Sequence, residues 1–201
     1  MKTKKLILLA ICAVALVSFE NPPYEIGDNV SDFKLKNVDG KMVALSDYKD
    51  QKGAIVIFDC NTCPYSRAYN ARIIELNSKY TPKGFPVITI NPNSPEISPG
   101  DSFKEMASQA KRNKYTFPYL QDETQQVARS FGATNTPHVF VLRKSGQDFS
   151  VAYIGTIDNN SRDATAATKK YVEEAVDALL DSKSVNTTRT KAIGCGIKWK
   201  D

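Results

Sequence analysis

The chain has 201 residues, 41% of them hydrophobic and 24% charged. That length and balance fit one domain able to bury its own core, and exclude a disordered chain, a collagen-like repeat and a polytopic membrane protein. Formal net charge is +5, but without residues 1–18 it is +2, from 24 basic and 22 acidic residues, which leaves no electrostatic footprint for nucleic acid.

The first eighteen residues read as a secretory signal. Lys2, Lys4 and Lys5 form a positive start, Leu6 to Val17 is an unbroken apolar run of 12, and Ala13, Ala15 and Ser18 offer small residues for cleavage. The run is short of the ~20 residues of a spanning helix. Cys12 lies inside it after Ile11, where a lipid-attachment signal wants a small residue. Export, with an uncleaved anchor as the second possibility, places the remaining Cys60, Cys63 and Cys195 in an oxidising compartment.

Along the rest of the chain, Ser31–Lys36 and Met42–Leu45 are strand-like and joined through a turn containing Asp39-Gly40. Ala54–Phe58 is a continuous apolar run, the pattern of a strand covered on both faces. A helix is predicted from Pro64, with Tyr65, Tyr69, Ile73, Leu76 and Tyr80 on one face and Thr81-Pro82-Lys83-Gly84 as its stop. Phe85–Ile90 is a second buried strand, and Asn91–Gly100 a proline-rich loop. Helices follow over Asp101–Arg112 and Asp122–Phe131, each opening on an aspartate that suits the helix dipole. His138–Leu142 and Val151–Ile154 are strands around a Lys144-Ser145-Gly146 turn, and Thr168–Leu180 is the closing helix. The expected organisation is a signal over 1–18, one domain over 25–183 and a polar tail over 184–201.

Cys60-Asn61-Thr62-Cys63, between a buried strand and a helix, carries the most chemistry. Two cysteines at this spacing can cycle between dithiol and disulfide, and the positive end of the helix favours a thiolate. Cys60 is the expected attacker and Cys63 the resolver. A structural disulfide or part of a zinc site is the competing reading, although no second pair exists to complete a four-cysteine site. Cys60 and Cys63 with His138, the only histidine, would also suit a copper or zinc carrier, against which His138 reads as an ordinary residue at a strand start. Thr136-Pro137 marks either an edge device or a cis turn. Cys195 is either a tail cysteine packed down by Ile197 and Trp199 or a further redox thiol that exchanges with the pair.

Taken together, Cys60-Asn61-Thr62-Cys63-Pro64-Tyr65, Ile90-Asn91-Pro92-Asn93, Phe117–Gln125, Phe131-Gly132-Ala133, Thr136-Pro137 and Gly194–Lys200 resemble the redoxin branch of the thioredoxin-like proteins, related to alkyl hydroperoxide reductase and thiol-specific antioxidant. The resemblance implies an α/β thioredoxin-like fold, a central mixed sheet flanked by helices behind an N-terminal hairpin. It also implies a cis Pro137 beside the cysteine pair, with the Thr136–Pro137 backbone binding an extended substrate chain. The expected function is an exported, periplasmic thiol–disulfide oxidoreductase. It would act on protein thiols and disulfides in the reducing direction and be recharged by a membrane-bound electron donor. No organic cofactor and no metal is implied, because the dithiol is itself the carrier. Members of this branch often carry His where Thr62 stands and Ser where Gly196 stands. Thr62, and Asp59 beside Cys60, predict a potential nearer thioredoxin's about −270 mV than the about −120 mV of a strong oxidant. Thiol peroxidase activity is the alternative, but Gly53–Asp59 lacks the Pro and the Thr or Ser that bind a peroxide.

Overall fold

The computed structural model describes residues 22–200, so the predicted signal over 1–18 lies outside the described residues. The order of elements is β1 (Asn29–Val30), β2 (Lys34–Asn37), β3 (Met42–Ala44), β4 (Gly53–Phe58), α1 (Pro64–Tyr80), β5 (Val87–Asn91), α2 (Phe103–Arg112), β6 (Tyr119–Gln121), α3 (Gln126–Phe131), β7 (Asn135–Thr136), β8 (His138–Ser145), β9 (Asp148–Gly155), α4 (Tyr171–Leu180) and β10 (Cys195–Gly196). Eight strands form one mixed sheet in the order β1-β9-β8-β4-β5-β6-β2-β3. β4, β5 and β6 run parallel, and β8 lies antiparallel on the other side of β4. β7 and β10 pair separately.

The apolar run of β4 has the burial expected of it: every residue from Gly53 to Phe58 is buried. Alternation splits the run between two cores. Ala54, Val56 and Phe58 join α3 residues Ala128 and Phe131 on one face. Ile55 and Ile57 join Tyr69, Ile73, Leu76 and Tyr80 of α1 and Val172 and Val176 of α4 on the other. Each large side chain so buried contributes about 1.5–3 kcal/mol relative to exposure. Phe131 centres the first core, making edge-to-face contacts with Tyr24, Phe33, Phe58 and Phe140 at centroid distances of 5.0–6.1 Å. Tyr65, predicted on the same face of α1 as Tyr69, is only half-buried, whereas Tyr69 is fully buried.

Several boundaries differ from the sequence reading. The strand predicted over Ser31–Lys36 begins only at Lys34 and runs to Asn37, pairing with β3 and β6, while the unpredicted Asn29–Val30 just before it pairs with β9. β6 has no counterpart in the prediction; at three residues it is too short for periodicity to register. α2 starts at Phe103 with Ser102 as its N-cap, so Asp101 is not the cap. Asp101 instead ends a 3-10 turn over Pro99–Asp101 and is fully buried, which gives the end of the proline-rich loop a regular turn. α3 begins four residues later than Asp122, after Gln125 in a left-handed conformation. Among the described residues no helix is long and apolar enough to cross a membrane.

Candidate active site

The C-terminal end of β4 delivers the chain directly into Asp59, Cys60 and the Asn61-Thr62 turn, and α1 begins at Pro64. Cys63 is thus the N-cap of α1 and Pro64 its first residue, where the missing N–H leaves no bond unmade. The helix end faces Cys63 and not Cys60, because the helix starts one residue after the second cysteine. Cys60 and Cys63 are 1% and 2% exposed. Cys60 Sγ lies 3.0 Å from Thr136 Oγ1 and 3.8 Å from Ser66 Oγ. Cys63 Sγ lies 3.1 Å from the Thr136 carbonyl and 2.6 Å from Cys195 Sγ, and the Cys195 N–H donates to it at 3.3 Å. The Thr136–Pro137 bond is cis.

These contacts place the charge. Cys63 is pulled down to about 4, first by the neighbouring Cys60 thiol, which keeps its proton. Burial opposes the shift, and bonds from Cys195 and from the Ser66 N–H add to it. Cys60 is pushed up by sharing that proton with Cys63, then by burial and by the Asp59 and Asp101 carboxylates. Cys195 is raised to about 11 by burial and by the adjacent Cys63. The pair titrates as a unit, with the first charge on Cys63. Asp59, wholly buried, is raised to about 7 by desolvation, against hydrogen bonds from Ser66 and the Cys60 backbone.

The turn between the cysteines is held by a carboxylate that the sequence reading assigned to a helix start. Asp101 Oδ1 accepts from the Asn61 N–H at 2.6 Å and from Asn91 Nδ2 at 3.2 Å. Its Oδ2 accepts from Thr62 Oγ1 at 2.7 Å, Ser98 Oγ at 2.6 Å and Asn93 Nδ2 at 2.9 Å. Burial works to raise its pKa, but the bonds from Ser98, Asn93, Thr62 and Asn61 outweigh burial and hold it below the usual carboxylate range. Asn61 is fixed further by Tyr119, whose hydroxyl donates to Oδ1 at 2.9 Å, and by Arg67 Nε, which donates to its carbonyl at 2.9 Å. Asn91, Asn93 and Tyr119 fall in segments that carry the family resemblance, Ile90-Asn91-Pro92-Asn93 and Phe117–Gln125, but none reads from sequence as a site residue, and Asp101 reads only as a helix start.

His138 opens β8, as a strand-start residue should. Its Nδ1 accepts from the Thr134 N–H at 3.3 Å and its ring lies 4.7 Å from that of Phe140. Burial, then the Arg189 charge, lowers its pKa to about 4. Among the described residues no three His, Cys, Asp or Glu side chains are grouped to hold a metal ion, so His138 is not assembled with the cysteines. Of the Thr136–Pro137 backbone expected to receive a substrate chain, Thr136 is paired with the protein's own Cys195, and Asn135 before it with Gly196.

A parallel-centred sheet with a Cys-x-x-Cys turn at the mouth of its first long helix, facing a cis proline, defines a thioredoxin-like protein. The chain belongs to the AhpC/TSA family, whose pattern matches residues 26–147. It is 25% identical over 150 residues to the thiol-disulfide oxidoreductase ResA of Geobacillus thermodenitrificans, spanning 71% of this chain and 80% of that protein. An uncharacterised conserved protein of Geobacillus kaustophilus superposes with a TM-score of 0.81 at 35% identity, over 88% of this chain and 93% of its own. A Chlorobium tepidum protein described as a thiol:disulfide interchange protein, DsbE, shares the fold with a TM-score of 0.60 at 22% identity, over 78% and 99% of the two chains.

Proposed function

We propose that this protein is an exported thiol–disulfide oxidoreductase whose Cys60 and Cys63 alternate between dithiol and disulfide in exchange with protein thiols. The observation that carries the reading is the buried Cys60–Cys63 pair at the mouth of α1, with Cys63 as the helix N-cap and its Sγ 3.1 Å from the carbonyl of Thr136 in the cis Thr136–Pro137 turn. The likeness to ResA supports the same class of reaction. The Lys2–Ser18 signal supports export to a periplasm, where a membrane-bound donor would recharge the pair. The dithiol carries both electrons, so no organic cofactor is required.

In this reading the roles are the reverse of those the sequence suggests. Cys63 supplies the thiolate that attacks the disulfide sulfur delivered to the pair and, in the opposite direction, leaves readily as a stabilised anion. Cys60 holds the proton, gives it up as it attacks Cys63, and closes the Cys60–Cys63 bond. Asp101 keeps the Asn61-Thr62 turn in the shape both steps need.

The experiment is the reduction potential of the Cys60–Cys63 pair in glutathione buffers, read by alkylation and mass so that Cys195 is counted separately. A thiolate stabilised on Cys63 favours the dithiol, so the expected value lies above thioredoxin's about −270 mV, toward the isomerase range near −180 mV. A value at or below thioredoxin's would restore the reducing direction that Thr62 and Asp59 suggest. No reversible disulfide would remove the reading altogether. Family membership and the covered Cys63 thiolate favour thiol peroxidase activity as a second reading. Fast oxidation of Cys63 to a sulfenic acid by hydrogen peroxide would promote it.

A further inference from the structure

After α4 the tail returns across the molecule and ends at the active cysteines. Arg189 bridges to Ile154 alongside the sheet, and Cys195–Gly196 pairs antiparallel with Asn135–Thr136, Cys195 opposite Thr136. Ile197 is buried in the core that contains Phe131. Side chains from three separate segments then fix the backbone. Asn135 Nδ2 donates to the Gly194 carbonyl at 3.0 Å, and the Lys198 N–H donates to Asn93 Oδ1 at 2.9 Å. Gln125 Nε2 donates to the Lys198 carbonyl at 2.8 Å, while its Oε1 accepts from the Lys200 N–H at 2.7 Å. Trp199 lies under the Arg129 guanidinium at 4.5 Å. Gly194 passes so close to β7 that a Cβ there would fall 2.2 Å from the Thr136 carbonyl oxygen.

This anchoring sets Cys195 Sγ 2.6 Å from Cys63 Sγ. It also fills the sheet edge that an incoming chain would pair with. Of the three cysteines, Cys60 and Cys63 are buried, while Cys195 alone is partly exposed. A partner's sulfur therefore meets Cys195 before it meets the pair.

We propose that Cys195 is the exit thiol of a three-cysteine relay, through which the buried Cys60–Cys63 pair exchanges with a partner protein's cysteines. The proposal rests on the thiol–disulfide reading above. Starting from the Cys60–Cys63 disulfide, the Cys195 thiolate attacks Cys63 Sγ. The Cys63–Cys195 bond forms, the Cys60–Cys63 bond breaks, and the electron pair leaves on Cys60 Sγ, which takes up the proton Cys195 lost. A partner thiolate then attacks Cys195 Sγ and releases Cys63 as a thiolate, the best leaving group of the three. A second partner thiol displaces Cys195, leaving the partner oxidised by two electrons and all three cysteines reduced. Reduction of a partner disulfide is the same sequence reversed.

Two variants of the full chain test it. Cys60→Ser, incubated in oxidised glutathione and mapped by mass, is expected to hold an intramolecular Cys63–Cys195 disulfide. A glutathione adduct on Cys63 with Cys195 free for alkylation would overturn the relay. Cys195→Ser is expected to keep a reversible Cys60–Cys63 disulfide with dithiothreitol while dithiothreitol-driven insulin reduction falls at least about tenfold, because the internal exchange partner is gone. Insulin turnover at the unsubstituted chain's rate would also overturn it. If neither the unsubstituted chain nor Cys195→Ser forms a reversible Cys60–Cys63 disulfide, the thiol–disulfide reading itself fails, an outcome distinct from failure of the relay.

Discussion

Asp59 illustrates how a single buried group can oppose the fold that contains it. It is 3% exposed, its Oδ1 has no hydrogen-bond partner among the described residues, and desolvation raises its pKa from 3.8 to about 7. A raised carboxylate pKa means that the folded chain keeps a proton the unfolded chain has lost. Stability from this group is present below about pH 4 and is lost as pH rises toward 7. Asp59→Asn is therefore expected to stabilise the protein by about 2 kcal/mol above pH 7, less than the full titration energy because an amide also needs partners. Near pH 4, where the folded parent keeps its proton, the urea midpoint should instead favour the parent, because only the amide's missing partners then separate the two proteins. An Asp59→Asn protein no more stable than its parent at pH 8 would mean the carboxylate is paired or hydrated in the fold. Asp101 is the opposite case at the same scale: equally buried, but with five donors around it. Nothing in the sequence separates the two. Asp59 sits beside a cysteine and invites attention, whereas Asp101 follows Pro99-Gly100 and looks like a helix cap. What distinguishes them is the convergence of Asn61, Thr62, Asn91, Asn93 and Ser98, which only the folded chain brings together.

At the scale of elements, legibility followed length and periodicity. β4 and α1 were readable because a continuous apolar run and a three-to-four-residue spacing each have one good burial solution, two-sided for the strand and one-sided for the helix. The short pieces, β1, β6, β7 and β10, are two or three residues each and exist only through their partners. The start of α1 at Pro64 is the predicted one, and with Cys63 as its N-cap the second cysteine, not the first that the sequence reading favours, stands at the helix end. The tail is the clearest case of structure that tertiary contacts create. Its sequence is polar and lacks periodicity, yet Asn93, Asn135 and Gln125 supply backbone partners for it and Gly194 lets it close on β7. Gly194→Ala should push β10 away from β7, since a Cβ 2.2 Å from the Thr136 carbonyl oxygen forces the backbone to move. Cys63 would then lose two of the groups that hold its thiolate, the Cys195 thiol and N–H. The expected result is a Cys63 pKa raised by at least about one unit, followed by ultraviolet thiolate absorbance, with faster alkylation of Cys195. Unchanged thiolate absorbance across the titration would show that Cys60 and the helix end hold the charge without the tail.

For the whole molecule, two of the strongly shifted buried groups near the site, His138 and Asp59, have opposing effects on stability over one pH range. His138 is buried at the start of β8 with its pKa lowered from 6.5 to about 4, so the unfolded chain binds its proton first as pH falls. Its contribution is complete above about pH 6.5 and is lost on the way down to about pH 4, a change of about 3 kcal/mol. Asp59 runs the other way over nearly the same interval, gaining stability as pH falls from about 7 toward 4, by a similar amount. Asp101, held below the ordinary carboxylate range, begins to weaken the fold only at more acid pH. With the Cys60–Cys63 pair held as its disulfide in this chain and in its variants, so that neither thiol titrates, the parent is thus expected to show a nearly flat stability profile between about pH 7 and pH 4.5, although two buried groups titrate there. Removing one side of the balance exposes the other. In the Asp59→Asn background, stability should fall by about 2–3 kcal/mol over that range, and His138→Gln in the same background should abolish most of the slope. Urea unfolding at a series of pH values reads all three proteins directly. A flat profile in Asp59→Asn would show that His138 is protonated without cost in the fold, and that burial beside Phe140 and Arg189 does not govern its charge.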